Sequence, residues 1–238
     1  MRLVSKLEVC VDTLQSARNA INGGADELEV CSSLTESGLT PSPGLVKEIL
    51  KMKPIINVMI RCRGGSNFTY TEDEMTTMLS DIDFYKKMGV NRFVFGALTS
   101  RHEIDKENCA RVIEQAHPLP VTFHRAYDLC KDPISGIEDI IQLGFNRLLS
   151  SGFKPSAEDT KALTLLKYLL EKYGDKIEVM PGAGINPDNA NIFSQAGFKI
   201  IHSSCKKLRV LPQLSLNFGT NEVYETDIDI VKELKNNI

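Results

Sequence analysis

The sequence predicts one (β/α)8 barrel over residues 1–238, a TIM-type α/β fold, and three observations carry that expectation. Eight short β-rich runs alternate with longer amphipathic stretches, which calls for parallel strands joined by right-handed crossovers. Eight such units suit a closed ring better than an open doubly wound sheet, the runner-up arrangement. No linker or low-complexity tract divides the chain into two domains.

In chain order, strand KLEVCV (6–11) is followed by a helix over 12–24, and strand ELEVC (27–31) by one over 42–52. Strand INVMIR (56–61) leads to a helix over 72–89, strand RFVFG (92–96) to 105–116, and strand VTFH (121–124) to 132–144. Strand RLLSS (147–151) precedes 156–174, strand EVMPG (178–182) precedes 186–197, and KIIHSS (199–204) is the eighth. Several helices open on Asp, Ser or Asn, which cap the first free N–H groups, and several stop at Gly. From 206 to 226 no period is evident, so an irregular segment is expected before a last helix over 227–236.

Composition excludes several roles. Lys+Arg number 28 against 31 Asp+Glu, a net charge of −3, so there is no basic footprint for nucleic acid or anionic lipid. No run is apolar enough to span a bilayer, and MRLVSKLEVC enters a strand rather than a signal-peptide core, so the expected compartment is the cytoplasm. The six cysteines have neither CxxC nor zinc-type spacing and read as free thiols.

The tetrapeptide LEVC occurs twice, at 7–10 and 28–31, each time in a strand. With Leu and Val facing the helices, alternation sends Glu8, Cys10, Glu29 and Cys31 into the barrel. The same parity turns Asn57, Met59 and Arg61 inward, along with Thr122 and His124, and Ile200 and His202. Glu8, Glu29, Arg61, His124 and His202 therefore converge as candidates for a catalytic pocket, with Arg61 the expected partner of at least one glutamate. A polar layer serving structure alone is the competing reading. Cys10 and Cys31, on neighbouring strands, are candidate ligands for Cu(I), which soft thiolates select; Cys62 is a possible third. Plain packing competes here too, because cysteine is a good small core residue.

Loops at the strand ends add candidates for anion binding. MIRCRGG (59–65) brings Arg63 beside Arg61, and MPGAGINPDN (180–189) is a glycine-rich turn, with Gly182 and Gly184, ahead of a helix start. HRAYD (124–128) sets Arg125 and Asp128 beside His124. His102 and His117 are expected at the surface. No inward lysine ends a strand, so a Schiff-base mechanism lacks its nucleophile.

Taken together, EVCVD (8–12), GGADELEVCSSLTESGLTPS (23–42), MIRCRGG, VFGALT (94–99), VTFHRAYD (121–128), LLSSG (148–152) and MPGAGI (180–185) resemble the CutC copper homeostasis family over about residues 7–205. That resemblance implies a TIM-type barrel, intracellular copper handling, copper ligands at Cys10 and Cys31, and a homodimer, homotetramer or larger assembly. Two positions depart from the family pattern: Cys62 stands where proline is usual, and Ala183 where glycine is usual. Two functions follow as expectations. One is a cytosolic barrel, present also in the nucleus, that binds and hands on Cu(I). The other is an enzyme acting on a small anionic metabolite through the Glu/Arg/His pocket.

Overall fold

The computed structural model describes residues 5–212 and 221–238. Eight parallel strands form one sheet in the order β7-β6-β5-β4-β3-β2-β1-β8, with β7 and β8 brought alongside each other to close a nearly complete barrel. The strands are β1 (Lys6–Val11), β2 (Glu27–Val30), β3 (Ile55–Met59), β4 (Arg92–Phe95), β5 (Val121–Phe123), β6 (Arg147–Ser150), β7 (Glu178–Pro181) and β8 (Ile200–Ser203). Around them run α1 (Leu14–Gly23), α2 (Pro43–Leu50), α3 (Glu72–Met88), α4 (Lys106–Ala116), α5 (Pro133–Gln142), α6 (Thr160–Tyr173), α7 (Ala190–Gln195) and α8 (Ile228–Asn236). The expected (β/α)8 architecture is the one observed.

Helix starts follow the capping chemistry read from the sequence. Thr71 and Glu74 form a reciprocal capping box at α3, and Thr13, Ser42, Asp105, Asp132, Asp159 and Asp227 each accept a hydrogen bond from the first turn of their helix. Helix α8 closes the ring against α1. A Cβ on Gly23 would lie 2.5 Å from that of Val231, so only glycine lets these helices approach so closely.

Between helices and strands lies one continuous apolar layer that includes Leu7, Val9, Leu28, Val30, Ile56 and Val58. Two smaller clusters lie apart from it: Cys31, Met59 and Val94, and Leu149, Met180 and Ile200. Their positions have the opposite strand parity, so they fill the barrel interior.

The segment expected to be irregular contains an antiparallel hairpin, β9 (Lys206–Val210) with β10 (Glu222–Thr226); 213–220 of that segment lie outside the described residues. Every residue of β9 is exposed, so no buried face imposed an apolar alternation that the sequence could display. No helix among the described residues is long and apolar enough to cross a membrane.

Candidate functional site

Register sets the site. Strand β1 pairs with β2 so that Glu8 faces Glu27 and Cys10 faces Glu29, and with β8 so that Glu8 faces His202. The two LEVC segments are thus displaced by two residues along the barrel. Cys10 stands beside a carboxylate and a histidine, while Cys31 lies further along its own strand. Beside the expected Cys10/Cys31 pair, the register sets a metal-capable group of three among the described residues: Cys10, Glu29 and His202, whose donor atoms lie within 4.8 Å of one another. The Cys31 thiol contacts Glu29 Oε2 at 3.5 Å and packs with Met59 and Val94, and burial, then the Glu29 charge, pushes it far up as a thiol. Cys62, half-buried against the core, does not face the site.

His202 has a fixed orientation. Its Nδ1 lies 2.8 Å from Glu8 Oε1, which turns Nε2 toward Glu29 Oε2 at 3.8 Å. Burial opposes protonation of this ring, but the Cys10 and Glu29 charges and hydrogen bonds with Cys10 and Glu8 outweigh it and favour the imidazolium. Burial pushes the Glu29 carboxyl up to about 7, against the pull of His202, and the Glu8 charge adds to the rise. Glu29 Oε1 is buried with no hydrogen-bond partner.

Glu8 also reaches downward, to a floor that sequence reasoning missed. Arg147, the first residue of β6, approaches Glu8 at 3.2 Å, Glu27 at 2.8 Å and Glu178 at 2.6 Å, and Asn57 donates to both Glu8 and Glu27. Burial alone would raise the Glu8 carboxyl; the hydrogen bond and charge of His202, with Arg147 and Asn57, hold it at about 2. The expected glutamate–Arg61 pair is therefore wrong. Arg61 is buried, but its guanidinium donates to the carbonyls of Glu36, Gly38 and Gly65. Inward alternation along RLLSS would have pointed to Arg147.

Above the floor opens a cavity of 1160 Å³ at the C-terminal ends of the strands, lined among others by Cys10, Glu29, Arg61, His124, Arg125 and His202. Four of the five expected pocket residues, Glu29, Arg61, His124 and His202, line it, and Glu8 lies beneath. Arg63 does not: its Nε meets Glu74 at 2.5 Å and its other nitrogens meet the carbonyls of Asn67 and Thr69, so it is not free for an anion. At the strand-seven turn the fold uses part of the expected donor set. The Gly182 N–H donates to the Ser150 carbonyl, and α7 begins only at Ala190, with the Asn189 side chain accepting from Asn186 N. Gly184, at φ +73°, lines the cavity but feeds no helix start directly. Asp128 is absorbed by Arg125, Ser150 and Ser151, and His102 and His117 are exposed as expected.

Comparison with known proteins identifies relatives of the chain and a solved structure of the same fold. The model of the CutC family matches residues 5–207. The chain is 42% identical over 237 residues to the copper homeostasis protein cutC homolog of Caenorhabditis elegans, covering 97% of this chain and 94% of that one. It is 44% identical over 205 residues to the Homo sapiens homolog, covering 85% and 74%. The crystal structure of the putative copper homeostasis protein CutC from Streptococcus agalactiae superposes with a TM-score of 0.77 at 30% identity, covering 84% of this chain and 98% of that one.

Proposed function

The chain belongs to the CutC family, and from that premise we propose that it binds copper as cargo at the barrel mouth, through Cys10, His202 and Glu29. One observation carries the reading: three donors of different softness converge within 4.8 Å at the wall of an open cavity. A thiolate selects Cu(I) or zinc, and imidazole suits copper. The Glu8–His202 contact supports this set, because a metal-binding imidazole is commonly held by a carboxylate on its other nitrogen. The unpartnered Glu29 Oε1 is a buried acceptor that a cation would satisfy.

All three donors must give up protons, so affinity rises with pH. The test is Cu(I) affinity against a competing chelator under reducing conditions. Cys10→Ser and His202→Gln are each expected to lose on the order of tenfold or more, with the barrel intact by circular dichroism. Cys31→Ser is expected to stay near wild type. Wild-type affinity in Cys10→Ser sinks the reading, and a large loss in Cys31→Ser points to the two-thiolate site.

A further inference from the structure

We propose that the part of the cavity wall built by Arg61 and His124 binds the carboxylate of a small organic acid, a ligand beyond copper. Both residues are at least nine-tenths buried and both line the cavity. Each presents one buried nitrogen without a hydrogen-bond partner, Arg61 Nε and His124 Nε2.

The tautomer of His124 follows from its surroundings. The Ala126 N–H donates to Nδ1 at 3.2 Å, so Nδ1 is the acceptor and the ring proton sits on Nε2. Burial, reinforced by the nearby positive charge of Arg61, lowers the pKa of the ring to about 3, so it is a neutral donor. The ring is held by edge contacts with Phe68 and Phe123, at centroid distances of 5.0 and 6.1 Å. Phe68 joins the two donors, since the Arg61 Cζ lies 5.1 Å from its ring centroid.

Arg61 supplies the charge. Its terminal nitrogens go to the backbone carbonyls of Glu36, Gly38 and Gly65, and no carboxylate among the described residues pairs with it. A buried cation without a counter-charge is costly, and two unsatisfied N–H groups beside it add to that cost. One group relieves both: an anionic oxygen acceptor admitted from the cavity by a side-chain shift, since neither nitrogen has open surface in this structure. Two donors and one cation match a monoanionic carboxylate, whereas a phosphate dianion calls for more donors and charge.

Saturation-transfer-difference NMR on metal-free full-length protein tests the inference, with a mixture of acetate, glycolate, pyruvate, lactate and succinate as the probe. Using metal-free protein separates this site from the copper reading, which stands or falls on chelator competition. At least one carboxylate is expected to give a signal, and the methyl esters none. His124→Asn keeps a side-chain oxygen to accept from Ala126 N–H but removes the Nε2–H, and is expected to weaken the signal at least fivefold. Arg61→Met is expected to abolish it; because that change also frees three carbonyls, His124→Asn is the decisive variant. No signal in the wild type, or an undiminished one in folded His124→Asn, overturns the proposal. Inorganic phosphate binding more tightly than every carboxylate, read from 31P line broadening, overturns the assignment of ligand class.

Discussion

Two buried arginines divide the barrel interior. At the floor, Arg147 has three carboxylates in reach, Glu8, Glu27 and Glu178. At the mouth, Arg61 has only backbone carbonyls. Both cations are inaccessible to bulk water, so the difference lies in what balances their charge. The floor is closed on itself and behaves as structure. The mouth leaves unpartnered buried atoms on Glu29, Arg61 and His124, all residues that line the cavity, whereas Asn57, Tyr70, Arg92 and Thr122, which also carry one each, do not line it. Burial without compensation beside an open cavity marks a place for a ligand. Glu8 joins the two levels, holding Arg147 below and His202 above.

The largest expected effect tests the claim that the floor is structural. Arg147→Met removes the cation and strands the Glu8 and Glu27 carboxylates in the core, and is expected to cost about 3–5 kcal/mol of unfolding free energy. Urea denaturation measures it. A loss below about 1 kcal/mol, the range of an exposed ion pair, would erase the distinction between floor and mouth.

Acid provides a second way to break the comparison. The Glu8 carboxyl is held at about 2 against an ordinary 4.5, so between those values the unfolded chain binds a proton that the folded chain refuses. Stability from this group is therefore complete above 4.5 and drains away as pH falls toward 2. The loss is on the order of 3 kcal/mol. Urea unfolding of wild type and Glu8→Gln across this range isolates it: the Gln variant has the flatter curve, and parallel curves count against the pairing.

Much of this architecture was legible because parallel strands and their helices impose different periods. Glu8, Glu29, Arg61, His124 and His202 were all placed inside by alternation alone, and all are buried. Partner identity was not legible. Arg61 is taken up by carbonyls at 36, 38 and 65, contributed by loops whose course no period encodes. The Cys10–Glu29–His202 group depends on the register between strands, which the repeated LEVC disguised by suggesting that like residues lie side by side. Arg147 was within reach of the same alternation argument, and the floor follows once β6 is read that way.

The smallest expected effect sharpens the contrast through the backbone. Ala183 lines the cavity at φ +76°, a left-handed conformation that its Cβ disfavours. Such a residue costs roughly 1–2 kcal/mol relative to ordinary backbone, and strain of this kind collects at functional sites. Ala183→Gly relieves it but gives the unfolded chain more freedom, which returns about 0.4–1 kcal/mol. The net expectation is a gain of up to about 1.6 kcal/mol, visible as a small rise in Tm. Because the change leaves Arg61, His124 and the Cys10 group untouched, copper affinity should hold. A loss of stability greater than about 1 kcal/mol would mean that the alanine methyl packs usefully at the mouth, outweighing the left-handed penalty.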